Sequence, residues 1–276
     1  MRKLYLLLGD PVAHSRSPAI QARAFALLGI DAVYAPCIVS PRDLEQAIDG
    51  LRALGVDGFN VTVPHKTAVA QLVDRLHEGA ARIGAVSCVV RDGEALVGHN
   101  TDAPGLLRAL AAKRIDVAGE GVIVGAGGSA RAAAFAIARQ SRSVTIVNRT
   151  VDAARSLARV VESTGARVHA AQLQSDEARR ALREAALVVH CTTVGLHDDA
   201  QPFDVNLLPA RAALADLVYA GSTGETPLVR AARQRGLVAI DGIDVLVQQA
   251  ISSLEIWLST PTLGHLAPAL REAALA

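Results

Sequence analysis

The sequence predicts an α/β protein with two α/β units. One is an N-terminal unit, and the other is a Rossmann-type domain built on a parallel sheet. Three observations carry this expectation. An apolar run, Val122-Ile123-Val124, enters a glycine cluster that feeds an Ala-rich helical segment. From Gly119 onward, short apolar runs alternate with helix-like segments, the rhythm of a parallel sheet covered on both faces. Before that point, three polar clusters follow apolar runs, and open α/β sheets bind ligands at the carboxyl ends of their strands.

The glycine cluster is the most informative stretch. Gly125, Gly127 and Ala130 fit G-x-G-x-x-G/A, with Ala126, Gly128 and Ser129 completing the turn. The first glycine permits a tight turn, and the second lets the backbone approach a pyrophosphate. The third small residue lets helix and strand pack closely. The N–H groups and positive dipole end of the following helix then face the phosphates. Ser143 to Val147 reads as the next strand, and it runs into Asn148-Arg149-Thr150. An NAD site places an acidic residue about 20 residues after the glycines, on the ribose 2′-hydroxyl. A cation at Arg149 suits a 2′-phosphate instead, so the expected cofactor is NADP. The competing reading has Arg149 merely decorating a strand end.

Taken in order, Leu4–Leu8 is a strand closed by Gly9-Asp10-Pro11, and Ser17-Pro18 opens a helix that stops at Gly29. Val33–Val39 is a strand, Ser40-Pro41 caps a helix, and Gly58–Val63 is a strand ended by Pro64. A helix is expected over residues 65–77. Val86–Val90 and Ala95–Val97 flank Asp92-Gly93, a hairpin signal. Thr101 or Asp102 then caps a helix through Lys113. The later strands are expected at 121–125, 143–148, 167–171, 187–191, 215–219 and 238–241. A helix from Ile243 to Leu258 and a short one from Leu263 end the chain. The domain division expected is 1–102, completed by 242–276, around 103–241, with a ligand in the cleft between the units.

Composition narrows the function. The 276 residues are 51% hydrophobic and 20% charged, with a net charge of +1. Nothing there favours a nucleic-acid or membrane partner, and no apolar run is long enough to span a bilayer. Cys37, Cys88 and Cys191 are scattered and odd in number, which suits reduced thiols in a cytoplasmic protein. No metal-ligand spacing stands out. The expected partner is a small-molecule substrate, with a monomer or homodimer as the assembly.

The polar clusters suggest chemistry. Ser15 and Ser17 beside a helix start can hold a carboxylate, although Ser17 as a plain N-cap explains one of them. In Asn60-Val61-Thr62-Val63-Pro64-His65-Lys66, Asn60 and Thr62 share one strand face and Lys66 follows just beyond it. Lysine is rare in this chain (Lys3, Lys66 and Lys113). A lysine in a cleft can shuttle protons, whereas at a helix start it is ordinarily solvated. Asp102 in Asn100-Thr101-Asp102 either caps a helix or pairs with Lys66. A lysine–carboxylate pair beside a nicotinamide suits oxidation of a secondary alcohol, with Lys66 managing the hydroxyl proton.

Together these motifs resemble the shikimate dehydrogenase family. They are Gly9-Asp10-Pro11-Val12-Ala13-His14-Ser15-Arg16-Ser17-Pro18, Asn60 through Lys66, Gly98-His99-Asn100-Thr101-Asp102, Gly125 through Arg131, Asn148-Arg149-Thr150 and Gln249. The resemblance spans essentially the whole chain. It implies NADP-linked reversible reduction of 3-dehydroshikimate to shikimate, in aromatic amino-acid biosynthesis. It implies that Ser15 and Ser17 hold the substrate carboxylate, and that Asn60, Thr62, Ser87, Asp102 and Gln249 meet ring hydroxyls. Tyr219 would lie near the substrate, and Lys66 with Asp102 would form the catalytic pair. Leu217 and Asp244 join the glycine turn and Asn148-Arg149-Thr150 as expected cofactor contacts. The chain departs from the family pattern in several places. Ser87 and His190 stand where asparagine is usual, Ala153 replaces a second arginine, and Asp244 replaces a common glycine. Residues 220–226 also run long and lack the usual proline. These departures keep two alternatives open: a quinate or aminoshikimate-type dehydrogenase, and a weakly catalytic NADP-binding paralogue.

Overall fold

A computed structural model describes residues 2–221 and 223–276; Ser222, in the 220–226 segment, lies outside them. The chain divides into two compact units, Met1–Gly105 with Val247–Ala276, and Leu106–Leu246.

Among its described residues, the first unit contains β1 (Lys3–Gly9), α1 (Ser17–Leu28), β2 (Ala32–Ile38), α2 (Leu44–Ala53), β3 (Gly58–Val61) and α3 (Lys66–Val69). It continues with β4 (Arg75–Leu76), α4 (Glu78–Ile83), β5 (Cys88–Asp92), β6 (Ala95–His99) and the start of α5 (Asp102–Ala112). The strands form one sheet in the order β2-β1-β3-β5-β6-β4. β1 pairs parallel with β2 and β3, while β5 pairs antiparallel with β3 and β6. β6 therefore runs in the direction of β1 and β3. The ends of β1, β3 and β6 and the start of β5 share one sheet edge. The core beneath includes Leu8, Ile48, Phe59, Val61, Val69, Val89 and Leu96.

Several local signals act as expected. Gly29 ends α1 in the left-handed region (φ 66°), a conformation that favours glycine. The hairpin closes on the Asp92–Ala95 pair, with Gly93 at φ 60°. Other expectations are corrected. Residues 65–77 are not one helix: α3 is a single turn, and β4 adds to the sheet edge. There the Asp74 carboxylate accepts the Leu96 N–H (2.7 Å) and pairs with Arg52 (2.6 Å), so tertiary pairing overrides local propensity. β3 ends at Val61 rather than Val63, and β5 starts at Cys88 rather than Val86. Neither Ser17 nor Ser40 caps by its side chain. Arg16 is the N-cap residue of α1, and the Ser40 hydroxyl bonds Asp43 instead. Asn100, rather than Thr101 or Asp102, caps α5, its Oδ1 accepting from the N–H groups of Asp102 and Ala103 (3.1 Å each).

The second unit runs from the body of α5 through β7 (Glu120–Val124), α6 (Gly128–Ala138), β8 (Ser143–Asn148), α7 (Val151–Glu162), β9 (Val168–Gln172) and α8 (Asp176–Glu184). β10 (Leu187–His190), β11 (Ala213–Asp216), α9 (Pro227–Gln234), β12 (Val238–Ile240) and the start of α10 (Gly242–Leu258) follow. All five strand pairings are parallel, in the order β12-β11-β10-β7-β8-β9. Numbered within the unit, this is the doubly wound 3-2-1-4-5-6 order, with its switch point between β7 and β10. β11 covers Ala213–Asp216 rather than 215–219. The β10–β11 connection carries a short 3₁₀ turn, Val205–Leu207, where the alternation predicts an α-helix. α10 continues into the first unit, and α11 (Ala267–Leu275) packs against α1.

In the first unit, His77 and His99 stack with ring centroids 4.8 Å apart. Burial, then the neighbouring His77, lowers the His99 imidazole from its ordinary 6.5 to about 4. The unfolded chain thus takes up a proton at a higher pH than the folded one, so this contribution is complete above pH 6.5 and fades as pH falls towards 4. Thermal unfolding followed across that window should show a steeper loss of stability on acidification for the parent than for His99→Gln.

Candidate functional site

At the shared edge of the first sheet, each strand end delivers polar groups. Gly9 ends β1 against β3, where a Cβ would collide with Thr62 Cγ2, so only glycine allows this approach. The following segment carries Ser15 and Ser17 to the start of α1, where Ser15 Oγ accepts the Ser17 N–H (3.2 Å). β3 delivers Asn60, Thr62 and, one short loop on, Lys66. β6 delivers Asp102 at the start of α5.

Lys66 Nζ lies 2.6 Å from Asp102 Oδ2, with side chains 11% and 5% exposed. Two charges this deeply placed persist only because each has the other. The Val86 N–H bonds the Lys66 carbonyl (2.8 Å), tying α3 to the segment leading into β5. His65 is not a free base: it is buried, with Nε2 2.6 Å from the Val39 carbonyl oxygen.

The other expected residues separate into two groups. Asn60 and Ser87 are committed to the protein. The Asn60 amide donates to the Ser87 carbonyl (3.0 Å) and Ser253 Oγ (2.9 Å), while Tyr34 Oη donates to its Oδ1 (3.0 Å). Ser87 Oγ accepts the Thr101 N–H (2.8 Å) and bonds Thr101 Oγ1 (3.0 Å). Where an asparagine would reach further, this shorter side chain turns inward. By contrast, the Ser17 and Thr62 hydroxyls and the Gln249 amide make no hydrogen bonds among the described residues. Gln249 sits on α10, and its Cγ lies 2.6 Å from where a Cβ on Gly105 would stand. The glycine therefore seats α10 against the start of α5, one turn beyond Asp102. Ser253, one turn on along α10, donates to the Gln249 carbonyl within the helix (3.1 Å) and reaches Thr101 Oγ1 at 3.5 Å. Trp257, a turn further on, donates to the Val89 carbonyl (3.0 Å) and stacks on Tyr5 at 4.5 Å. Tyr34, Ser253 and Trp257 are site-supporting residues that the sequence does not single out, and Thr101 supports Ser87 rather than capping the helix. Ser253 alone leaves a signal, being four residues from Gln249 on one helix face.

In the second unit the glycine turn follows β7 at the switch point. Gly125 has φ +125°, and a Cβ there would press on the Cys191 backbone at 3.2 Å. At Gly127 a Cβ would meet nothing within 4 Å. The space a side chain would fill is open, beside an α6 N-terminus that has no side-chain cap. Ala130 is fully buried and packs the helix onto the sheet. These residues fit a dinucleotide: an uncapped helix N-terminus, an open approach at the second glycine and a tight first turn. Ala126, Gly128 and Ser129 lie in the same turn. Arg149 directly follows the neighbouring strand β8, exposed and with no carboxylate partner among the described residues. Asn148 Nδ2 bonds the Thr150 carbonyl (3.0 Å), shaping that loop. Arg155 is engaged with Asp152 (2.9 Å). Leu217 and Tyr219 follow β11, and Asp244 lies in the first turn of α10, its N–H accepted by Asp241 Oδ1 (3.0 Å). Tyr219, expected beside the substrate, lies in the second unit. No group of three or more His, Cys, Asp or Glu among the described residues is placed to hold a metal ion.

The doubly wound sheet and its glycine turn define the second unit as one of the dinucleotide-binding class. Comparison with known proteins narrows this. Residues 7–89 match the model of the shikimate dehydrogenase substrate-binding domain, and residues 109–197 match that of shikimate/quinate 5-dehydrogenase. An NADP(+) shikimate dehydrogenase of Symbiobacterium thermophilum is 43% identical over 258 residues, 91% of this chain and 87% of that protein. A shikimate 5-dehydrogenase from Thermus thermophilus, solved with NADP(H) and shikimate, superposes with a TM-score of 0.84. It is 34% identical, covering 99% of this chain and 98% of that one. A 5-ketofructose reductase of a Gluconobacter strain, solved without ligand, gives 0.85 at 30% identity, covering 99% and 98%. The chain belongs to the shikimate dehydrogenase family.

The two key glycines do different work. Gly125→Ala should lower the thermal midpoint, because a residue forced into this backbone region costs about 1–3 kcal/mol. Gly127→Ala, with an ordinary φ of −82° and open space, should unfold like the parent. Differential scanning calorimetry of both variants checks the contrast.

Proposed function

We propose that this chain is an NADP-dependent oxidoreductase that interconverts 3-dehydroshikimate and shikimate. The observation that carries the reading is the buried Lys66–Asp102 pair, set at the sheet edge where Ser17, Thr62 and Gln249 keep hydrogen-bonding groups to offer. The family relationship and the relatives named for this activity support it. The first unit receives the polyhydroxy acid. The Ser15 and Ser17 hydroxyls at the start of α1 hold its carboxylate, and Thr62, Gln249 and Asp102 take ring hydroxyls. Asn60 and Ser87 act mainly as supports, since their polar atoms bond Tyr34, Ser253 and Thr101. Tyr219 is proposed to approach the substrate from the second unit's part of the chain.

NADP, held by the turn Gly125–Ala130, by Asn148, Arg149 and Thr150, and near Leu217 and Asp244, supplies or accepts the hydride when bound. The protein's own residues manage the proton. The Lys66 ammonium protonates the oxygen that becomes the new hydroxyl, and the neutral amine removes that proton in the oxidative direction. Asp102 aims the ammonium and balances its charge in a place where water is largely excluded. Three free thiols support a reducing, cytoplasmic setting, and no helix among the described residues is long and apolar enough to cross a membrane.

A second reading rests on Ser87. Its hydroxyl is turned to Thr101, which leaves ring recognition to fewer groups and favours acceptance of a related ring such as quinate. Recording NADPH formation with shikimate and with quinate, each with NADP⁺ and NAD⁺, separates the readings. Turnover of shikimate with NADP⁺ is the expected result. Turnover of quinate alone would transfer the assignment to the second reading. Nucleotide binding without any turnover would leave a non-catalytic paralogue.

Lys66→Ala should lower turnover by about 10²–10⁴-fold, the ordinary worth of a positioned acid–base group, with NADP⁺ affinity nearly unchanged by calorimetric titration. Arg149→Ala should weaken NADP⁺ by about 10–100-fold, the loss of a charge-assisted hydrogen bond to phosphate, and NAD⁺ far less. Equal weakening of the two would separate Arg149 from the 2′-phosphate.

A further inference from the structure

Beneath the rim of the second sheet lies a line of buried hydrogen bonds with no part in the chemistry above. His190 ends β10 and Asp216 ends β11, directly opposite each other in the parallel register. Both are fully buried. His190 Nδ1 lies 2.8 Å from Asp216 Oδ1, and Nε2 lies 2.5 Å from Thr192 Oγ1. Since a carboxylate only accepts, Nδ1 carries a proton and donates. Asp216 Oδ1 also accepts the Val218 N–H (2.9 Å), and Oδ2 accepts the Thr226 hydroxyl (2.6 Å). Thr226 Oγ1 in turn accepts the Val229 N–H (3.2 Å) and so caps α9, while Thr192 Oγ1 accepts the Val194 N–H (3.3 Å).

The network joins three pieces of chain at the carboxyl ends of β10 and β11. One is 191–194 after β10, one is 217–219 after β11, and the third is the start of α9. The first piece also abuts the glycine turn, because the Cys191 backbone is what a Cβ on Gly125 would strike. The second is backed by the start of α10, where a Cβ on Gly242 would collide with the Val218 carbonyl oxygen. The sheet has two mononucleotide halves. β8, with Arg149, belongs to the half that takes the 2′-substituted ribose, so β10 and β11 belong to the nicotinamide half.

We infer that His190 is a positioning residue for the nicotinamide half of the cofactor site, holding segments 191–194 and 217–219 in register through Thr192 and Asp216. The inference rests on the dinucleotide reading above. Because the network touches one half of the ligand, its loss should divide the cofactor in two. Thr192→Val keeps the side-chain shape and removes the bonds that Oγ1 makes to Nε2 and to the Val194 N–H, and His190→Ala removes the bridge entirely.

Calorimetric titration of the full chain should give an NADP⁺ dissociation constant about tenfold higher in Thr192→Val, the scale of hydrogen bonding lost from a largely enclosed network. Affinity for adenosine 2′,5′-bisphosphate, which lacks the nicotinamide half, should stay within about twofold. Arg149→Ala, as the control, should weaken both ligands. Equal weakening of both ligands in Thr192→Val would overturn the inference and mark a merely structural network, and so would no change in either. If the parent binds neither ligand, the dinucleotide reading itself fails and this inference with it. If His190→Ala does not fold, Thr192→Val decides the question alone.

Discussion

A lysine ammonium and an aspartate carboxylate withdrawn from water are stable only in each other's company, and the first unit is arranged around that requirement. Lys66 comes from the end of β3 and Asp102 from the start of α5. The antiparallel strand β5 between β3 and β6 is what turns both groups to one sheet edge. Removing either partner would leave an uncompensated charge in the interior, an expense of about 3–5 kcal/mol. The surrounding hydrogen bonds keep the pair's elements together: Asn100 caps the helix that carries Asp102, and Val86 bonds the Lys66 carbonyl. Around the pair, groups already satisfied inside the protein (Asn60 and Ser87) alternate with groups that are not (Ser17, Thr62 and Gln249). That alternation separates groups spent inside the protein from groups left to offer more sharply than residue type does.

The second unit solves a different problem, the close approach of backbone to a polyanion. Its glycines are not equivalent. One accommodates a backbone conformation pressed against β10's exit, and the other keeps space open in front of a helix end. The buried His190–Asp216 bridge continues the same logic on the other side of the switch point. There, polar side chains rather than absent ones set the position of the rim.

Much of this is legible in the sequence. The glycine turn is a local signal, because a chain that turns tightly from strand to helix has few residue choices. Lys66 and Asp102 stood out as a candidate pair through their placement after apolar runs. What escaped the sequence was set by partners distant along the chain. β4 exists because Asp74 meets Leu96 and Arg52, whereas the local residues read as helix. Asn60 is fixed by Ser253, 193 residues away, and no spacing rule reveals that its donors are spent. The caps went to neighbours of the residues expected, Asn100 in place of Thr101 or Asp102, because several capping residue types adjoin there and only backbone angles choose among them.

The first unit is discontinuous, and this bears on how the protein is made. Tyr5 needs Trp257 to stack on, Asn60 needs Ser253, and α1 needs α11. All of these partners are synthesised after the whole of the second unit. The second unit, continuous from Leu106 to Leu246, has every one of its strands available earlier. Domains fold as units as the chain emerges, so synthesis reverses the order of the sequence. The nucleotide-binding unit is completed before the first, and β1 and α1 wait, with the aromatic face of Tyr5 uncovered, until α10 and α11 follow.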